Sequence, residues 1–142
     1  MSMDRFFKQN KIPAANAFIA ATDSLLDEDG KPLLWEVRPL TTKEAEALRK
    51  EYLKDVPIPG RSGTYRQRID TFLLTNAMLV KAVIHPDLND AALQDSYGVK
   101  TPGELLREML SAPGEYDHLV EFVQKISKMD ITIEEEVDDA KN

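Results

Sequence analysis

The sequence predicts an α+β fold, predominantly helical, with an N-terminal β-hairpin packed on a bundle of about five helices. Three observations carry this expectation. Two runs near the N-terminus, 18–26 and 33–40, flank the polar turn Asp27-Glu28-Asp29-Gly30-Lys31-Pro32. Apolar residues at helical spacing then dominate most of 42–128. Helix-start signals of the form Thr-x-x-Glu stand ahead of two of these stretches, at Thr41 and Thr101. The chain has 142 residues, 42% of them hydrophobic. That is enough for a single core burying roughly 70% of the surface exposed by the unfolded chain.

Residues 1–129 are expected to form one globular domain that begins with an arm over 1–16. Met3, Phe6 and Phe7 lie on one side of a helical turn in that arm, ahead of Pro13, but the segment is short and needs something to order against. The two strands follow. In the second, Leu33, Trp35 and Val37 alternate with Leu34, Glu36 and Arg38, which places the Trp35 face toward the interior. An isolated hairpin is marginal in water, so that face must pack on helices.

The first helix starts at the Thr41/Glu44 capping box and is expected to run to about Lys54. Val56-Pro57-Ile58-Pro59-Gly60 ends it, because proline lacks an amide donor and restricts the residue before it. Residues 55–64 then read as the longest loop. The central helix is expected over 65–84, with Tyr65, Ile69, Phe72 and Leu73 at helical spacing and a second half that is apolar nearly all round. Asn89 is a candidate cap for a short helix over 90–97, closed by Gly98. Thr101-Pro102-Gly103-Glu104 opens another, carrying Leu105, Leu106, Met109 and Leu110. The last strong helix is expected over 115–128, with Tyr116, Leu119, Val120, Val123 and Ile126 on one stripe that Phe122 widens.

Charge is unevenly distributed. Residues 130–142 hold Asp130, Glu134, Glu135, Glu136, Asp138 and Asp139 against Lys141, whereas the rest of the chain is nearly balanced. This acidic tail is expected to be partly disordered. The nearest approach to a basic stripe is Arg61, Arg66 and Arg68, read as a loop and a solvated first helical turn. Nucleic-acid binding is therefore not expected. A helix-turn-helix around 90–110 would have only Lys100 and Arg107 as basic residues.

Little in the sequence points to chemistry. With no cysteine, thiolate metal sites, disulfides and Cys nucleophiles are excluded. His85 and His118 have no partner at a meaningful spacing and read as end-cap or surface groups. The Asp27–Gly30 run lacks the first ligand of a calcium loop. Gly60-Arg61-Ser62-Gly63-Thr64 lacks the Lys-Ser/Thr pair of a phosphate-binding loop. No catalytic, cofactor or metal site is expected. The longest strongly apolar stretch, 72–84, is too short to span a membrane, and the N-terminus lacks a signal-peptide layout, so a soluble intracellular protein is expected.

Several phrases together carry a family resemblance. These are Asp27-Glu28-Asp29-Gly30-Lys31-Pro32 leading into Trp35-Glu36-Val37-Arg38, then Val56-Pro57-Ile58-Pro59-Gly60. The run from Pro86-Asp87-Leu88-Asn89-Asp90 through Tyr97-Gly98-Val99 is the most specific, with Pro113-Gly114-Glu115-Tyr116 and the closing Ala140-Lys141-Asn142 after it. Their order resembles the XkdN-like phage tail assembly chaperones of contractile-tailed phages and prophages. The resemblance implies a non-enzymatic protein in the cytoplasm of the bacterial host that holds the tape measure protein soluble and helps tail tube assembly. The tail tube protein is a further possible partner, and self-association stays open. The alternative is a structural tail component, a completion or connector subunit retained in the virion. Binding a long helical partner calls for apolar surfaces and charged ends. The candidate contact residues are Phe6 and Phe7 of the arm, Leu119, Phe122 and Val123 of the last helix, and Glu134, Glu135 and Glu136 of the tail.

Overall fold

The protein is described by a computed structural model covering residues 2–129; the acidic tail, with Glu134, Glu135 and Glu136, lies outside the described residues. Two short 3₁₀ turns, Asp4–Phe6 and Lys8–Asn10, precede strand β1 (Ala17–Ile19). Next come β2 (Trp35–Val37), α1 (Thr42–Glu51), β3 (Leu53–Pro57), β4 (Tyr65–Ile69) and α2 (Thr71–Ala82). The chain continues through β5 (Val83–His85), α3 (Ala91–Ser96), α4 (Pro102–Met109) and α5 (Pro113–Ile126). The α+β class is as expected.

The N-terminal hairpin is shorter and less regular than its sequence suggests. β1 and β2 pair antiparallel, with Ala17 opposite Val37 and Ile19 opposite Trp35, and an isolated bridge joins Leu26 to Pro32. Between these pairings, six residues on one side face two on the other; the Leu25 carbonyl still accepts from the Leu33 amide at 2.9 Å, so residues 20–24 bow out of the ladder. The bow reaches α5. Thr22, 2% exposed, donates its hydroxyl to Glu115 Oε1 (2.9 Å), and the Asp23 amide donates to Glu115 Oε2 (3.0 Å). Leu33, expected to face inward, is exposed. The polar turn is held by Asp27 Oδ1, which accepts from the amides of Asp29 (2.8 Å) and Lys31 (2.9 Å), a self-contained Asx turn.

The sheet gains a third strand that local patterning missed. β5 pairs antiparallel with β2, making β2 central, and both Trp35 and Val37 are buried. The helix expected to continue to Ile84 gives way to strand at Val83, a β-branched position suited to either state until a partner strand decides. Around this sheet, α2, α4 and α5 supply Leu79, Ala82, Leu105, Leu106, Leu119 and Val123 to one core.

The largest correction falls on residues 53–69. The first helix ends at Glu51, short of Lys54. A second hairpin, β3–β4, replaces the expected loop and the first turn of the central helix. Tyr65 and Ile69 are four apart, which puts them on one face of a helix and equally on one face of a strand. Only the strand reading lets Arg66 and Arg68 alternate with them. Pro57 is tolerated because each strand of a two-stranded sheet is an edge. The true start of α2 is Asp70, whose Oδ1 accepts from the Leu73 amide at 3.1 Å.

Helix-start signals elsewhere are largely realised. Thr101 Oγ1 accepts from the Glu104 amide with Pro102 in the first turn, and Asp90 rather than Asn89 caps α3. At Thr41 the capping box is complete, and Glu44 also takes a bidentate pair from Arg38 at 2.9 and 2.6 Å. The Arg38 hydrogen bond, aided by the Thr41 amide, lowers the Glu44 carboxyl to about 2. The unfolded chain holds that proton more tightly, near the ordinary value of about 4.3. The pair's stabilisation is thus complete above the unfolded value and is lost as pH falls from about 5 toward 2. Glu44→Gln should flatten the stability profile across that window relative to wild type, as read by urea melts at stepped pH; parallel profiles would show that the pair contributes nothing.

Candidate partner-binding surface

Helix α2 buries Met78, Leu79 and Ala82, yet leaves Phe72 and Leu73 about half exposed. Its first two turns therefore present apolar side chains to solvent. A groove of about 590 Å³ opens there between α2, α4 and α5, lined by Phe72, Thr75, Arg107, Leu110, Tyr116 and Val120 among others. The Arg107 guanidinium sits 5.6 Å from the centroid of the Phe72 ring, within cation–π range. It provides a cation on one wall of a largely apolar trough that Asp117 and the hydroxyls of Thr71, Thr75 and Ser111 also line.

Asn76 sets the geometry of this surface. Its Oδ1 accepts from the Tyr116 hydroxyl at 2.9 Å, and its Nδ2 donates to the Gly103 carbonyl at 3.4 Å, tying α2 to both neighbours. A Cβ at Gly103 would stand only 2.8 Å from Asn76 Nδ2, so a side chain there would push the tie apart. The Tyr116 phenol, raised by partial burial above an ordinary value that already lies well above neutrality, stays protonated and donates. On the far side of Asn76, a second groove of about 490 Å³ runs past Tyr52, Leu73, Ala77, Val80 and Pro102. An amphipathic helix laid across exposed Phe72 and Leu73 would meet apolar surface on both sides.

The structure separates the contact residues expected from sequence. Phe6 (73% exposed) and Phe7 (50%) lie open to solvent on the arm, beside exposed Met3 and Ile12. Phe122 is partly buried against the core. Leu119 and Val123 are correctly placed on the apolar stripe of α5, but at 0% and 1% exposure they are core residues and offer a partner nothing in this fold. The stripe faces inward, into the core that α5 shares with α2, α4 and the first sheet. Phe72 and its groove were missed, because an apolar residue in an apolar helix reads as core. Asn76, a polar residue inside that run, was the available signal. His85 and His118 are both exposed. Among the described residues, no group of three or more His, Asp or Glu is arranged to hold a metal, and no helix is long and apolar enough to cross a membrane.

A family model for the phage XkdN-like tail assembly chaperone protein matches residues 3–141. The chain belongs to the XkdN-like tail assembly chaperones. It is 24% identical over 138 residues to the phage-like element PBSX protein XkdN of Bacillus subtilis (strain 168), an alignment covering 96% of this chain and 92% of that protein. YqbN, an uncharacterized protein of the same strain, is 22% identical over 137 residues, covering 96% and 91%. A crystal structure of YqbN superposes with a TM-score of 0.73 at 18% identity, over 92% of this chain and 98% of that one, and so shares the fold.

The phrases that carry the XkdN-like resemblance have structural roles here. In Pro113-Gly114-Glu115-Tyr116, Pro113 starts α5, Glu115 holds the bowed N-terminal segment and Tyr116 bonds Asn76. In the run after Pro86, Asp87 Oδ1 accepts from the Asn89 amide at 3.0 Å, and Gln94 Nε2 donates to the Leu88 carbonyl at 2.8 Å. These contacts pin Leu88, 3% exposed, in the core.

Proposed function

We propose that this protein is a non-enzymatic tail assembly chaperone that binds the tape measure protein in the host cytoplasm and helps the tail tube assemble around it. The observation that supports this most directly is the exposed apolar surface at the start of α2, flanked by grooves on both sides of Asn76, with exposed Phe6 and Phe7 on a separate arm. A long helical client with apolar seams would bury such surfaces; a small substrate would not need two of them.

The test is co-expression with the tape measure protein, followed by pull-down and light scattering. Soluble client recovered in complex supports the reading. Client that stays insoluble while this protein runs alone sinks it, and detection of the protein in purified tails would then favour a structural component. Within the same assay, Phe6→Ser with Phe7→Ser should weaken complex formation about tenfold while moving the melting midpoint little, since both rings are already in water. A large fall in stability would instead place them in the core.

A further inference from the structure

The β3–β4 hairpin concentrates positive charge on one face. Its register sets Lys54 opposite Arg68 and Val56 opposite Arg66. These residues therefore share one face, while Leu53, Asp55, Pro57, Tyr65, Gln67 and Ile69 take the other. Arg61 stands in the connecting loop. Lys54 is paired with Asp70 at 3.1 Å, but among the described residues no carboxylate forms an ion pair with Arg61, Arg66 or Arg68. Directly opposed like charges destabilise a strand pair, so the face is built in a way that an anion would relieve.

The chain supplies such an anion. Residues 130–142 carry six carboxylates against one lysine. Their root lies close to the hairpin: Met129 and Arg49 line a common groove between α1 and the end of α5, and Leu53, the first hairpin residue, is four positions after Arg49. An extended stretch of this length reaches roughly 43 Å. The hairpin's five-residue strands span about 17 Å, so the whole basic face lies within range.

We propose that the basic face of the β3–β4 hairpin is an acidic-peptide site whose occupant is the chain's own C-terminal segment, residues 130–142, docked in cis. The contact is electrostatic and exposed, so it weakens as salt shortens the screening length. It does not depend on what the apolar grooves bind.

Because the chain has no cysteine, Asn142→Cys gives the protein a single site for a nitroxide label. At about 50 mM salt, where the screening length exceeds 10 Å, the label should broaden the amide signals of residues 65–68 to less than half their intensity with the label reduced. At about 500 mM salt the signals should return. Glu134→Gln with Glu135→Gln and Glu136→Gln should remove most of the broadening, and Arg66→Glu with Arg68→Glu should do the same. The tail variant keeps the test readable if the hairpin variant fails to fold. Undiminished signals at low salt overturn the proposal, as does broadening that survives tail neutralisation. So does broadening transmitted from a labelled chain to an unlabelled one in a mixture, which would assign the site to the tail of a second copy.

Discussion

Trp35→Ala is expected to destabilise the protein by about 3–5 kcal/mol, the range for truncating a buried tryptophan. Trp35 is 2% exposed at the start of the central strand β2, in the core cluster that includes Val37, Leu79, Leu105 and Leu119. Strands pair on both sides of β2, and helices cover its inner face, so the surroundings have little freedom to collapse into the cavity. Against a typical total of about 5–15 kcal/mol, the loss leaves the fold marginal. The melting midpoint should fall by roughly 10 °C or more, followed by circular dichroism because the mutation removes the sole tryptophan. Phe18→Ala is the matched control. Phe18 sits on the neighbouring strand but is 61% exposed, and its loss should stay within about 0.5 kcal/mol. Comparable effects from the two substitutions would mean that the sheet does not bury the face described here.

Under the proposed function, Phe72→Asp is expected to have the largest effect on binding of the tape measure protein, of about thirtyfold or more, because it replaces the apolar ring on the wall of the groove with a charge. Its effect on stability should be small. The Phe72 ring is already 58% exposed, an acidic residue in the first turn of α2 suits the helix dipole, and Arg107 is close enough to receive the carboxylate. The yield of soluble complex in the co-expression pull-down, alongside a thermal melt, separates the two effects. A wild-type yield with an unchanged melt would remove the groove from the proposed binding surface.

The helix boundaries were legible wherever the signal was local. Thr41 with Glu44, and Thr101 with Pro102 and Glu104, mark starts through bonds spanning three residues, and the apolar stripe of α5 identified Leu119 and Val123 as one face. Failures came where two periodicities coincide or where distance decides. Tyr65 and Ile69 fit either a helix or a strand, and Val83 becomes strand only because β2, far back in sequence, is there to receive it. The proposed binding surface was harder still. Phe72 and Leu79 share one helix and one hydrophobic class, and only the packing of α4 and α5 determines that the second is covered and the first is not.

The bond from Thr22 to Glu115 spans 93 positions, and the Leu40 amide is satisfied by Ser127 Oγ across 87. Both lie beside the first sheet and its exit, yet both wait for the last helix. A nascent chain leaving the ribosome cannot seal its N-terminal third until α5 emerges. Shortened chains that lack α5 should therefore surface as protease-sensitive species rather than as smaller folded proteins.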